Sequence, residues 1–327
     1  MKRRLLVFST LFMLASGASY AQQDKLITHF IFDKMSFNPG ATGINDGFCG
    51  TSIYRNQWDK VNGAPNSAVL NVEGALDRWA PVGVGISFYH DAIGFTRQNN
   101  VLLNGSYKLK TNYGTLGIGL GLGIINVGMN PDWVAPVTNN DPSLPVGFAD
   151  LKFDLNAGLY WKGSSDYYVG ISSTHLTAPV LGDSSGVNPA GAPATVTYNS
   201  ARHYYAMGGK TFKNAFGSYG HLDANVLLRT DMVKMSADLN LRYMWFDKAY
   251  AGLTYRTSDA IAIMIGARPF LIVNPGTAMD NLLIGYSYDI TINKLASVSR
   301  GSHEMLIKYC YYLPPVPIQK SKHPRWL

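Results

Sequence analysis

The connections between the predicted strands of this chain alternate in length, and this alternation constrains the fold more than any other feature. From residue 48 onward, roughly fourteen short segments alternate apolar with polar residues. The long connections, residues 130–149 and 177–199, follow odd-numbered segments, whereas tight turns such as residues 110–113 and 163–166 follow even-numbered ones. Residues 270–279 are an exception. Because outer-membrane barrels have short periplasmic turns and longer external loops, we predict an all-β chain that forms one antiparallel transmembrane β-barrel of about 14 strands.

The first residues have the layout of a secretory signal peptide. Lys2, Arg3 and Arg4 precede an apolar run, and Ser19-Tyr20-Ala21 forms an A-x-A-like cleavage site. The run is too short for a membrane-spanning helix, which needs about 20 residues. We therefore expect a signal peptide at residues 1–21 and localisation in the cell outer membrane.

The remaining chain divides into three parts on this interpretation. Residues 22–47 form a periplasmic N-terminal segment, residues 48–313 the barrel, and residues 314–327 a proline-rich basic tail in the periplasm. The tail follows an even-numbered last strand, which ends at the periplasmic rim. Its Lys320, Lys322, Arg325 and Trp326 are candidates for docking on a periplasmic partner.

The segment around residues 116–124 shows both faces of a barrel strand. Leu116, Leu120 and Ile124 belong to an apolar set at every second position, which we expect to face outer-membrane lipid, and the positions between are glycines. A water-soluble β-sandwich also alternates. The signal peptide, the loop pattern and the 20 tyrosines favour the barrel, because tyrosine is enriched at membrane interfaces.

The inward positions of the predicted strands carry both signs of charge, which suits a network filling the lumen better than an ion filter. They are Arg55, Glu73, Lys108, Lys152, Asp154, Asp223, Arg229, Asp238, Arg242, Arg256, Arg268, Asp289, Glu304 and Lys308. Gly83, Gly85 and the glycines from Gly117 to Gly123 add a wall without side chains that another backbone can approach closely. We hypothesise that residues 24–47 plug the lumen there, or that an external partner segment does. A solvated barrel wall remains the alternative.

Two cysteines lie on strands that a closed barrel makes neighbours. Cys49 begins the first strand and Cys310 lies near the end of the last, and strand parity turns both inward near the periplasmic rim. The periplasm permits disulfides. Cys49 and Cys310 are therefore candidate partners, although a register shift of one or two residues would separate them beyond the limit of about 7 Å between Cα atoms.

No motif in the chain carries recognisable enzyme or cofactor chemistry. The seven histidines lack metal-ligand spacing, and Gly208-Gly209-Lys210-Thr211 lacks the upstream glycine and the helix of a phosphate-binding loop. We predict no catalytic residue, no metal and no cofactor. The formal net charge of +7 includes the three basic residues of the signal peptide, so nucleic-acid binding is not predicted either.

Five short motifs occur in order along the mature chain. They are Asn38-Pro39-Gly40-Ala41, Tyr54-Arg55-Asn56-Gln57-Trp58, Gly63-Ala64-Pro65, Tyr286-Ser287-Tyr288-Asp289 and Gly301-Ser302-His303-Glu304. Together they resemble the PorP/SprF family of outer-membrane proteins from the Bacteroidetes type IX secretion system. Gly40 departs from the alanine that the family usually has there.

The resemblance implies a non-enzymatic barrel that serves protein export. It would support secretion or surface attachment of a partner such as a gliding adhesin, or associate with the periplasmic ring and motor. Asn38, Pro39, Arg55, Gln57 and Trp58 are candidates for structural anchoring or partner contact, with Arg55 and Gln57 facing the lumen and Trp58 the lipid. A passive channel for small solutes and an outer-membrane hydrolase remain alternatives. The long loops 130–149 and 177–199 are the preferred contact with an exported partner.

Overall fold

The computed structural model describes residues 25–131, 147–187, 193–217 and 219–313. The predicted signal peptide at residues 1–21 and the tail at residues 314–327 lie outside these ranges. Sixteen strands are present in the described parts of the chain: β1 Phe48–Asn56, β2 Asn66–Ala75, β3 Val82–Ile93, β4 Thr96–Thr111, β5 Gly114–Met129, β6 Phe148–Gly163, β7 Tyr167–Thr174, β8 Val180–Val187, β9 Pro193–Asn199, β10 His203–Lys213, β11 Gly220–Thr230, β12 Met235–Trp245, β13 Ala249–Arg256, β14 Ala260–Ala267, β15 Leu283–Thr291 and β16 Ser302–Tyr311.

Fourteen of these strands close into one antiparallel barrel, as the alternation predicted. Each barrel strand pairs with its neighbours along the chain, except that β7 pairs with β10, and β1 closes the ring by pairing with β16. Closure satisfies the backbone hydrogen bonds that a sheet edge would expose to lipid. We assign the end with the longer connections to the cell exterior.

The two faces of the strands also agree with the prediction. In β5, Leu120 and Leu122 point outward and are about half exposed in the isolated chain, where lipid would cover them, while Gly117 and Gly119 point into the lumen. In β12, Leu239 and Leu241 point outward and Asp238 is buried inside. The lumen is therefore the polar side of the wall.

One side of the barrel is much taller than the other. Strands β4, β5 and β6 each have 16 residues, whereas most other barrel strands have 8 to 11. A membrane-spanning strand needs only about 9 to 11 residues. The three long strands therefore extend beyond the membrane on the outer side and form what we call the tall wall.

Strands β8 and β9 form a separate hairpin inside the long connection at residues 177–199, where the sequence predicted only a loop. The hairpin packs on the inner face of the tall wall. Leu181 is fully buried there against Ile125, Val127 and Phe148. Serine, glycine, asparagine and proline are frequent in this connection and favour turns, so they concealed the hairpin.

The exceptional long connection on the periplasmic side contains a five-residue helix, α1 Pro269–Val273. Two 3-10 turns, Pro39–Ala41 and Lys294–Ser297, complete the regular structure of the described residues. Within these residues, no helix has both the length and the apolar character needed to cross a bilayer.

Candidate functional site

Residues 25–47, which we call the plug, lie inside the barrel and not in the periplasm below it. Leu26 lines a cavity at the outer end of the lumen, and Gly47 lies against Tyr311 at the periplasmic rim. Between them the chain is mostly buried, with hydrogen-bonded turns at residues 28–32 and 35–37 and the short 3-10 turn at Pro39–Ala41. The plug therefore begins near the outer end and descends through the lumen to β1.

Apolar side chains of the plug fill the middle of the lumen. Ile27, Phe30 and Phe37 are each at most 2% exposed. Phe37 contacts the inward Tyr205 edge to face, with ring centroids 5.5 Å apart. Burying each such side chain contributes about 1.5–3 kcal/mol, so the packing alone favours a closed lumen.

An ionic group on β1, β15 and β16 faces the upper part of the plug, and we call it the anchor cluster. Arg55 donates from one guanidinium nitrogen to Asp289, at 2.7 Å, and from the other to Glu304, at 3.0 Å. All three side chains are at most 2% exposed. Charges this deeply buried are costly unless they are paired and hydrogen-bonded.

The plug supplies hydrogen bonds that the anchor cluster needs. The backbone amides of Thr28 and His29 each donate to a Glu304 oxygen at 2.8 Å, and the Nδ1 of His29 lies 2.7 Å from Glu304. The hydroxyl of Thr28 bonds to Asp289 at 3.1 Å. Without the plug these carboxylates would lose partners inside the wall, which couples plug docking to the stability of the barrel.

The cluster continues around the barrel through alternating charges. Arg256 bridges Asp289, at 3.2 Å, and Asp238, at 3.1 Å, and Arg229 lies 2.6 Å from Asp238. The backbone carbonyl of Lys25 accepts from Arg229 at 3.2 Å. Arg229 of β11 thus holds the start of the plug, and Asp238 and Arg256 link it to the anchor cluster.

The lower part of the plug lies against the glycine wall. A Cβ atom at Gly117 would collide with the carbonyl of Gly40, one at Gly119 with Pro39, and one at Gly83 with the carbonyl of Thr42. By contrast, Gly121 and Gly123, which belong to the same predicted wall, face Asn104 and Val101 of the neighbouring strand. Only the part of the glycine wall nearer the periplasm touches the plug.

Asn38 joins the plug to two barrel strands. Its side-chain amide donates to the carbonyls of Leu159, at 2.9 Å, and Ile171, at 3.3 Å. Its Oδ1 accepts from the amide of Gly40 at 2.8 Å, and Pro39 begins the short turn between them. Asn38 is fully buried, so this motif makes structural contacts inside the barrel.

The other candidate residues of β1 occupy different surroundings. Gln57 is buried, and its backbone amide donates to Pro65 at 2.9 Å. Trp58 lines the outer cavity together with Leu26, which corrects the assignment of Trp58 to the lipid face. The reason is that β1 ends at Asn56 and Trp58 has a left-handed backbone with φ of 52°, so strand parity no longer applies.

Cys49 and Cys310 lie directly opposite each other on β1 and β16. Their sulfur atoms are 2.06 Å apart, as in a disulfide. The bridge links the first and last strands at the periplasmic rim. The predicted docking residues Lys320, Lys322, Arg325 and Trp326 follow beyond the described residues.

The plug separates two cavities. The outer one has a volume of about 390 Å³, is flanked by Trp58, Lys234 and Lys294, and has Arg229 and Arg256 near its base. The inner one, of about 250 Å³, lies at the periplasmic end of the lumen. Residues 27–30 of the plug, of which Thr28 and His29 are fully buried, lie between them.

Lys34 has an unusual position on the inner cavity. Its ammonium lies 3.6 Å from the ring centre of Tyr168, a cation–π contact. Burial, with further contributions from the positive charges of Lys308 and Arg242, lowers the pKa of Lys34 to about 7. The cation–π contact favours the charged form and opposes this shift.

Sequence reasoning missed the plug residues that make the polar contacts. Thr28, His29 and Asp33 gave no signal, because a segment without regular structure has no periodicity to interpret. Asp33 accepts from Asn71 of β2 at 2.7 Å and from Ser36 at 2.6 Å. The inward parity of Arg55, by contrast, did mark a residue of the anchor cluster.

A comparison with known sequence families shows which family this chain belongs to. The family described as type IX secretion system membrane protein PorP/SprF matches residues 19–309. The chain belongs to the PorP/SprF family. Its place in the outer membrane follows from the family and the barrel together. A comparison with curated proteins finds no match.

Solved structures with a similar fold are outer-membrane barrels. The toluene transporter TbuX of Ralstonia pickettii matches with a TM-score of 0.53 and 11% identity, over 86% of this chain and 93% of that one. The CymD monoaromatic hydrocarbon channel matches with a TM-score of 0.50 and 10% identity, over 86% of this chain and 92% of that one. At such low identity the likeness concerns the fold alone.

Proposed function

We propose that this PorP/SprF barrel is a non-enzymatic component of type IX secretion that acts by binding proteins, and that it does not conduct solutes. The observation that carries the proposal is the plug, whose Thr28, His29 and Phe30 are buried between the two cavities. A lumen filled by 23 residues of its own chain, 25–47, has little room for transport. The two ends of the barrel are then the surfaces available to partners.

The outer end has a shape suited to holding an exported protein. The tall wall of β4, β5 and β6 rises on one side of the outer end. The outer cavity lies where the strands are shorter, beside Trp58, Asp231 and Lys294. A secreted protein, such as a gliding adhesin, would contact this surface and the loops 130–149 and 177–199 during secretion or surface attachment. The periplasmic end, with the tail at residues 314–327, would face the ring and motor.

Affinity purification from outer membranes tests both contacts. A full-length protein tagged after residue 327 should co-purify with type IX secretion components and a large surface protein. Replacing residues 132–146 and 188–192 with Gly/Ser sequences of equal length should remove the surface protein and retain the periplasmic components. Deleting residues 320–327 should have the reverse effect. If neither change alters the co-purified set, the proposed contacts are wrong.

A passive solute channel is the competing function. Its support is the barrel fold that this chain shares with TbuX and CymD, which does not carry a substrate over to this protein. The two functions differ in what the purified barrel does in a lipid bilayer. A plugged barrel has no steady pore, whereas a channel conducts.

A further inference from the structure

The inner cavity presents positive charge to the periplasm. Four of its lining residues are cationic, Lys34, Arg242, Arg268 and Lys308, and two are acidic, Glu73 and Asp247. The cavity is wide enough, at about 250 Å³, to admit a side chain with a few bound waters. It lies below the plug, at the periplasmic end of the lumen.

The acids around Lys34 are already engaged by other groups. Glu73 accepts from the amide of Gly43 at 2.8 Å, Asp33 accepts from Asn71 and Ser36, and Asp223 is paired with Arg242. Among the described residues, the ammonium of Lys34 has no hydrogen bond and no ion pair, and its partner is the ring of Tyr168. Lys34 is thus a half-buried cation without a counterion among the described residues.

A second cationic group in the cavity also lacks a partner. The Nε of Arg268, at the end of β14, is buried without a hydrogen-bond partner among the described residues. Arg242 keeps its guanidinium over the ring of Phe32, 4.6 Å from its centre, so it adds charge to the same space. Donors that are buried and unsatisfied favour an acceptor that enters from outside.

We propose that the inner cavity is a binding site for a carboxylate-bearing segment of a periplasmic protein, which pairs with Lys34 and Arg268. Ile31, Phe32, Met35, Leu283 and Tyr312 also line the cavity, and these apolar groups suit an acidic residue on a peptide better than a free ion. The proposal rests on the proposed function and specifies the chemistry of the periplasmic partner.

The tail of this chain is an unsuitable occupant because of its charge. It follows Tyr312, which lines the cavity, in the sequence, but it carries three basic residues, Lys320, Lys322 and Arg325, together with His323, and no acidic residue. The positive charges of the tail and of the cavity repel each other, and both attract an acidic partner. The cavity and the tail are thus two positively charged parts of the chain, and both favour an acidic protein surface as the partner.

The charged groups around Lys34 set the pH dependence of binding. The pKa of Lys34 is lowered by its burial and by the positive charges of Lys162 of β6, Arg242 of β12 and Lys308 of β16. The negative charge of Asp223 of β11 raises it. Glu73 of β2 and the plug's Asp33 also face this region. With a pKa of about 7, the free site loses charge as the pH rises, and an entering carboxylate restores the proton. Affinity should fall roughly tenfold from about pH 6.5 to about pH 8.

Hexaglutamate and hexaglutamine are suitable probes for the full-length protein in detergent. Hexaglutamate should bind and should protect Lys34 from acetylation by an amine-reactive ester, measured by peptide mass spectrometry, whereas hexaglutamine should do neither. Lys34→Met should weaken hexaglutamate binding about tenfold or more, because a charge-assisted bond is lost. Arg268→Gln should weaken it in the same direction.

Lys110→Met is the matched control, since Lys110 is an exposed periplasmic lysine outside the cavity that pairs with Asp77. Its affinity should stay within about twofold of the wild type. Equal binding by the wild type and Lys34→Met would overturn the site. Protection of Lys34 by inorganic phosphate as effective as that by hexaglutamate would overturn the peptide assignment.

Bilayer conductance measured on the same preparation separates this proposal from the proposed function. A closed barrel that fails to bind hexaglutamate contradicts the carboxylate site alone. A barrel that conducts steadily contradicts the plugged, protein-binding function, whatever the peptide does.

Discussion

At the residue scale, single side chains and single missing side chains hold the plug in place. Gly119 has no space for a Cβ atom because Pro39 lies against it. Arg55 holds two buried carboxylates that also accept bonds from the plug. These positions differ in chemistry, but a change at either should loosen the same segment.

Gly119→Ala should displace the plug without unfolding the barrel. The added methyl overpacks a closed interface, which typically costs about 1–3 kcal/mol. Hydrogen exchange in peptides covering residues 25–47 should accelerate. Gly105→Ala, on the neighbouring strand β4, is the control, because a Cβ there meets no atom within 4 Å. Equal exchange in the two variants would show that the glycine wall does not hold the plug.

Arg55→Met should lower the stability of the folded protein by about 3–5 kcal/mol, because it leaves buried carboxylates short of a partner. The temperature at which the folded band converts to the unfolded band in semi-native gels measures this loss. Lys213→Met removes an exposed pair with Asp166 and should cost at most about 1 kcal/mol. A smaller loss for Arg55→Met than for Lys213→Met would contradict the anchor cluster.

At the element scale, the barrel is closed by the pairing of β1 with β16, and the disulfide fixes that seam at the periplasmic rim. Strand parity placed Cys49 and Cys310 on the same side of adjacent strands, and the structure puts them in register. Parity failed for Trp58, because the strand ends two residues earlier. It also did not predict the β8–β9 hairpin, in which Leu181 packs against residues of the tall wall that are far away in the sequence.

The seam disulfide should be visible in the purified protein. Without reductant, neither Cys49 nor Cys310 should react with iodoacetamide after denaturation, and both should react once reduced. Replacing both with serine should lower stability by about 2–4 kcal/mol, the usual contribution of a disulfide. Alkylation of both residues before reduction would disprove the bridge.

At the scale of the whole molecule, sequence periodicity predicted the architecture of the barrel but not the path of the plug inside it. A period of two residues marks both faces of every strand, so the strand number, the lumen charges and the long outer connections followed from it. The path of the plug did not follow, because it depends on contacts between residues far apart in sequence. Thr28 and Glu304, for example, are separated by 276 positions. The glycine wall indicated where another backbone lies close to the barrel wall, but not the direction in which the plug runs along it.

Planar-bilayer conductance of the purified full-length protein tests the central claim, that the barrel is closed by its own residues 25–47. The wild type should show no steady open-pore current, and Arg55→Met should show frequent openings because its plug is less firmly held. A steady, ohmic current through the wild-type barrel would contradict the account.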